Sequence, residues 1–482
     1  MGARRAALTL VLAGAAWGCN TSPFQNPLNE TLSAEIDNSD TTMFRGASVV
    51  FRGRAEYVVG PGAPQTVSWG VSDTSKIVVV VLPNLTASLL AKDTGSAYLV
   101  AILNQDFRDS VLITVVDDGL LRWRAALPGT ISLYPAVAPD SNARVVHGGA
   151  TPRLVGYTPA GEQILAVASC DSRLAPSLGL DGQAYVTGSQ CTQRHTAAGA
   201  VSWTLSAGSA GGGVAIPSDG GTVVLAGDTV LRISPTGGEV WRDTLSGTAR
   251  TAPVIASDGT IYVAWSAGAG ADSVTSYTST GSERWTVGVP GAPDLATPAI
   301  TGNRVVFTWP GGLFVVDATG TLLWERAFAA DNTAASATAP ASSPVVDGAG
   351  VIFVQTTDAL YSYDSGGQNL WFADSLGYGP SSTGVGAPSL RVDVSLVVPC
   401  RGAASGVREI CAVRNVSGAL VWRSALGSGA SDGLAVGNEG TLFVSRTLSG
   451  GSSELVAVWS RVRSDVVGWP TEGGDMARSR RN

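Results

Sequence analysis

Five cysteines and two histidines are the side chains of this sequence best suited to covalent, metal or proton-transfer chemistry. Cys19, Cys170, Cys191, Cys400 and Cys411 include no adjacent pair and no Cys-x-x-Cys. With only His147 and His195 to add, a zinc site lacks its usual clustered ligands. Neither histidine has a serine or cysteine partner pattern, so both read as structural or exposed residues of strand text. The carboxylates Asp258, Asp317, Asp347 and Asp364 sit beside glycines and read as hairpin-turn residues. No Asp/Glu/Asn cluster supplies the several convergent oxygens that calcium needs. The expectation is therefore a protein with no catalytic residue, no cofactor and no metal.

The N-terminus points to a different chemistry. Residues 1–19 read MGARRAALTLVLAGAAWGC, with Arg4 and Arg5 before an apolar stretch from Ala6 to Ala16. That stretch is too short for a permanent bilayer span. Its small residues leading to Gly18-Cys19 resemble a bacterial lipoprotein signal, in which Cys19 is acylated and becomes the first mature residue. Ala16-Trp17 departs from the usual Leu-and-small pattern, and an ordinary signal peptide with an incidental cysteine is the alternative. Asn20 is not the aspartate that retains some lipoproteins at the inner membrane, so the outer membrane or cell surface is expected. With Cys19 assigned to lipid, four cysteines remain, an even number that in an exported chain suggests two disulfides. Cys400 and Cys411 flank a segment whose centre, Ser405-Gly406, suits a hairpin tip; Cys170 and Cys191 are the other pair.

Composition limits the partners. The 482 residues contain 60 glycines, 14% charged and 44% hydrophobic residues, which describes a turn-rich globular chain. A net charge of -7 offers no basic face for nucleic acid. The expected partners are a membrane, through the lipid, and other proteins, with the chain itself a monomer.

The elements that must carry these residues come in two kinds. Residues 20–42 lack periodicity and are expected to form a flexible linker. From 43 to 117, short β-branched runs (47–58, 65–72, 76–82, 97–103 and 110–116) alternate with turn residues. The text VSWGVSDTSKIVVV, then AKDTGSAYLVAI and SVLITVV, resembles bacterial immunoglobulin-like domains of group 2. The resemblance implies a β-sandwich with Trp69 on a central strand and Gly95 at the turn into AYLVAI.

Beyond 118 the sequence repeats. Glycine followed four residues later by tryptophan occurs at Gly119/Trp123, Gly199/Trp203, Gly237/Trp241, Gly281/Trp285, Gly320/Trp324, Gly367/Trp371 and Gly418/Trp422. Gly161/Leu165 fits the same register with leucine. Each interval reads as four short strands, as in TPAITGN, RVVFTW, GGLFVVDATG, TLLWERAF, which is one propeller blade. The expected fold is all-β: an eight-bladed propeller over 118–470 behind a small sandwich. Glycine serves the tight turn, and tryptophan four residues on packs against the next blade. The last repeat lacks its tryptophan strand while DGLLRWRAAL at 118–127 has no blade before it, so the two are expected to join and close the ring.

This grammar is similar to the pyrroloquinoline-quinone-repeat family, and GWPTEGGDMARSRRN, containing the tail 471–482, resembles that family's closing phrase. One branch binds the quinone and calcium and oxidises alcohols or sugars. Its alcohol-oxidising members carry a vicinal disulfide that this chain cannot form. The other branch, BamB-like lipoproteins, has lost the cofactor and acts as a scaffold in outer-membrane assembly. The resemblance thus implies a non-catalytic scaffold, with a quinoprotein dehydrogenase or a surface adhesin that binds glycans as alternatives.

Overall fold

A computed structural model describes residues 31–461 apart from 38, 58–66, 104–106, 133, 149–150, 172–174, 180, 189, 207–212, 269–270, 291–294, 378–385, 392–394, 403–407, 428–429, 438–439 and 449. The expected signal segment with Cys19, the expected hairpin tip at Ser405-Gly406 and the tail 471–482 lie outside the described residues. The chain divides into two compact units, Met1–Val116 and Asp117–Asn482.

In the first unit two four-stranded sheets enclose one core. The strands are β1 (Thr31–Ile36), β2 (Thr41–Phe44), β3 (Ser48–Tyr57), β4 (Val67–Val71), β5 (Ile77–Leu82), β6 (Thr86–Ala91), β7 (Gly95–Leu103) and β8 (Phe107–Val116). Their orders are β1-β3-β6-β5 and β2-β8-β7-β4. Alternation builds the core: Ala97, Leu99 and Ala101 of β7 and Val111, Ile113 and Val115 of β8 face Phe51, Ile77 and Leu89 of the other sheet.

Three features differ from the sequence reading. Thr31–Ile36 is a strand paired with β3, not linker, because Ile36 is buried and its amide donates to Asp109 Oδ2 at 2.7 Å. Trp69 packs against the core, yet β4 is an edge strand and not a central one. The strand β6 falls in TASLLA, whose alanine, serine and leucine carry little β-propensity. Its place between β3 and β5 decides its conformation.

The second unit contains eight sheets among the described residues, which we number I to VIII. In chain order they span 136–168, 177–205, 222–244, 248–290, 299–327, 345–373, 389–424 and 430–459. All their pairings are antiparallel, and outside sheets IV and VIII they run in chain order; in sheet IV Thr248–Ala249 and Val254–Ile255 both pair with Ile261–Ser266. Sheet III has three strands, extended by a single bridge from Ala215 to Val223. Sheet VIII takes its fourth strand from far away in sequence: β9 (Leu121–Leu127) pairs with Ser453–Trp459, Trp123 lying opposite Ala457. Among the described residues helix is confined to a 3-10 turn at Asp374–Leu376 and one turn at Phe328–Asp331 that buries Phe328 against Tyr361, 4.7 Å between rings.

Two disulfides are present. Cys170–Cys191 joins the end of sheet I to the second hairpin of sheet II, and Cys400–Cys411 lies within sheet VII. In the latter, Cys411 is opposite Val398 and Cys400 opposite Glu409, so the bridge is diagonal and not between facing residues. Replacing both Cys170 and Cys191 by alanine is expected to cost about 3 kcal/mol, the loop-closure value for a loop of that size. Denaturation midpoints of the native and double-alanine chains measure this; equal midpoints would contradict it.

Candidate functional site

The repeated glycines and tryptophans meet across the boundaries between sheets. A Cβ placed on Gly161 would fall 2.9 Å from Trp123, on Gly237 2.8 Å from Trp203, and on Gly281 2.6 Å from Trp241. On Gly320, Gly367 and Gly418 it would fall 2.7 Å from Trp285, Trp324 and Trp371. On Gly199 it would fall 2.4 Å from Leu165, and on Gly119 2.7 Å from Trp422. Each sheet's glycine therefore lies against the large side chain of the preceding sheet, and the series returns to its start through Gly119. All eight glycines have φ between +66° and +92°, a region other residues resist.

The indole N–H groups extend the same contact. Trp123, Trp241, Trp285, Trp324 and Trp371 donate to the carbonyls of Pro159, Ser279, Ala318, Ser365 and Asn415, at 2.8–3.1 Å. The indole nitrogens of Trp203 and Trp422 are buried without such a bond among the described residues. At the Trp203 boundary Arg194 donates to the carbonyl of Pro235 instead, at 3.0 Å. A further repeat escapes a search for glycine and tryptophan. Three residues before the glycine, Thr158, Thr196, Ser234, Thr278, Asp317 and Asp364 accept from the amide four residues on, at 2.8–3.1 Å. Hydroxyl and carboxylate oxygens share this turn role. Asp258 and Asp347 accept turn amides as well, from Thr260 and Ala349 at 2.9 Å.

The closing strand β9 is held by charge. Arg446, fully buried, pairs with Glu454 and donates to the carbonyls of Leu426 and Gly427, both at 3.0 Å. Arg124 of β9 reaches the same carboxylate at 2.8 Å and the Leu426 carbonyl at 2.5 Å. Arg122 stacks 4.1 Å over the ring of Trp459, a cation–π contact between β9 and its neighbour. Before β9, Asp118 accepts from the amide of Arg461 at 2.5 Å and pairs with the buried Arg391 at 3.5 Å.

The histidines stay apart. His147 and His195 are both buried, in sheets I and II. His195 Nδ1 meets the Gly199 carbonyl at 3.2 Å, while Nε2 is buried with no partner among the described residues. Burial lowers its pKa, against the opposing pull of the Gly199 carbonyl. A histidine whose folded pKa is depressed stabilises fully above its unfolded value near 6.5 and loses that contribution as pH falls through the folded value. Stability is therefore expected to drop below about pH 6.5, with a shallower slope in His195→Gln. Urea midpoints across that range test this, and identical slopes would refute it.

A cavity of about 430 Å³ opens where sheets III and IV meet, lined by Pro217, Asp219, Arg232, Pro235, Ile255 and Ser257 among others. Arg232, almost wholly buried, donates to both Asp219 oxygens at 2.6 and 2.5 Å and to the Ile233 carbonyl at 2.6 Å. Burial works to raise the Asp219 carboxyl, but the Gly221 amide and Arg232 outweigh it and hold it below the usual range. The sequence reading missed this pair; Asp219 lies in the turn before Thr222–Ala226 and Arg232 on the next strand, Thr229–Ile233, and nothing in the local text marks them as partners. Among the described residues no three of His, Cys, Asp and Glu gather as metal ligands.

Successive four-stranded meanders wedged side by side by indole rings define the second unit as a β-propeller. Its fold matches that of the C-terminal WD40 domain of Sif2, 11% identical, covering 70% of this chain and 99% of that one with a TM-score of 0.54. Residues 189–387, less than half of the chain, match the family described as outer membrane protein assembly factor BamB. BamB from Moraxella catarrhalis is 16% identical and covers 70% of this chain and 98% of its own, with a TM-score of 0.49. No curated protein matches.

Proposed function

We propose that this chain is a non-catalytic scaffold: an eight-bladed propeller, tethered to the outer membrane or cell surface through acylated Cys19, that binds other proteins. The immunoglobulin-like first unit serves as spacer or second contact. One observation carries the reading: the match to the outer-membrane assembly-factor family lies wholly within the propeller repeats. The ring of glycine–indole contacts supports it by supplying a rigid frame, and rigid frames present loops at fixed positions. A role in outer-membrane protein assembly is its narrower form.

In-cell photo-crosslinking tests the scaffold role. Probes at the exposed Leu322, Phe372 and Val416, on sheets V to VII and their turns, should yield discrete adducts with envelope proteins. No adduct at any of them, with partnerless protein after membrane extraction, would overturn the proposal. Its non-catalytic part is tested by adding the quinone and calcium and following dye reduction with alcohols and sugars; saturable binding with turnover would overturn that part.

A further inference from the structure

The first unit has four sheet edges, and three carry devices that discourage pairing. β1 has a register shift between Thr31 and Ser33, and β2 and β4 are short, four and five residues. The fourth edge, β5, has none. It reads Ile-Val-Val-Val-Val-Leu, uncharged and without proline, and pairs with β6 through six consecutive registers with no bulge. Among the described residues β6 is its only paired strand, and the Ile77 amide at its start also donates to the Asp73 carbonyl at 3.3 Å.

The outer face behind this edge is apolar too. Val78, Val80 and Leu82 are 38%, 54% and 36% exposed. Leu90 lies opposite Val78, and Ser88 stands between Val80 and Val50, so aliphatic side chains from three strands share this face with one small serine among them. Contiguous exposed patches of this kind mark interaction sites.

We propose that β5 pairs antiparallel with β5 of a second copy of this chain, about a two-fold axis at Val80. Directly opposed residues in an antiparallel pair share a face. Centring on Val80 therefore sets Val80 against the second copy's Val80 and Val78 against its Leu82, joining the two apolar faces. It also sets Lys76 opposite Asn84, so no like charges meet. Lys76 is already paired with Asp93 at 3.5 Å, which leaves the start of the strand neutral. A charged or polar partner strand gains nothing from this face, whereas the face is complementary to itself, as a two-fold interface requires. Standard interfaces engage about 20–30 residues a side. This one has far fewer, so the dimer should be weak.

Sedimentation velocity of the full chain over roughly 1–100 µM is the test, a range suited to weak interfaces. Concentration-dependent dimerisation is expected, weakened about tenfold or more in Val80→Lys, where two ammonium groups would face each other. Val80→Cys should form a disulfide-linked dimer under mild oxidation, while Val50→Cys, on the same face but two strands from the edge, should not. A native chain monomeric throughout, a Val80→Lys chain that associates equally well, or equal crosslinking from both cysteines overturns the proposal. None of these outcomes bears on the scaffold role of the propeller.

Discussion

Glu454→Ala should destabilise the propeller by about 3–5 kcal/mol, the cost of stripping a buried cation of its counterion. Glu454 is the carboxylate shared by Arg446 and Arg124, and Arg446 has no access to solvent. Two carbonyls would remain to Arg446, but neither carries a full negative charge. The loss should be read as a lower denaturation midpoint, together with faster hydrogen exchange in β9, since Arg124 loses its partner too. Joint replacement of Arg446 and Glu454 by leucine should recover much of the stability, because an apolar pair removes the desolvation cost. The exposed pair Glu239 and Arg242 is the control, and Glu239→Gln should leave the midpoint where it is. A Glu454→Ala midpoint equal to that of the native chain would show that the shared carboxylate does not fasten the ring.

The second large effect is expected at the indole contacts. Gly320→Val forces a β-branched residue into φ +84° and places its Cβ 2.7 Å from the Trp285 ring. The backbone term costs about 1–2 kcal/mol and the overpacking about 1–3 kcal/mol. Gly227→Val separates the two, because Gly227 has φ +66° and nothing within 4 Å of its Cβ position. Thermal midpoints should fall for both, and substantially further for Gly320→Val. Equal falls would mean that close approach to the indole contributes nothing.

The sequence revealed the propeller because its glycines and tryptophans recur in phase, and each obeys a local rule. Positive φ demands glycine, and a boundary between sheets favours a large flat ring. The joining of β9 to the last repeat was legible for the same reason, as an orphan strand and a missing one. The Arg446–Glu454–Arg124 cluster was not legible. Arg446 and Glu454 face each other across one hairpin, but Arg124 reaches them from a strand more than 300 residues away in sequence. Nothing in local text distinguishes them from surface charges. In the first unit, β1 and β6 were missed because neither TLSAEI nor TASLLA has the β-branched alternation that marked β5 and β8. Tertiary pairing, and not propensity, fixes their conformation.

One boundary in the ring is built differently from the other seven. Where sheet I meets sheet II, Leu165 takes the place of an indole, and no N–H can reach across to a carbonyl. The bridge Cys170–Cys191 crosses that very boundary and shares a core with Leu165. A covalent staple thus stands where the aromatic wedge is missing, which makes the sturdiness of this seam a matter of redox environment. With the bridge reduced, this seam should loosen before the boundaries that keep an indole.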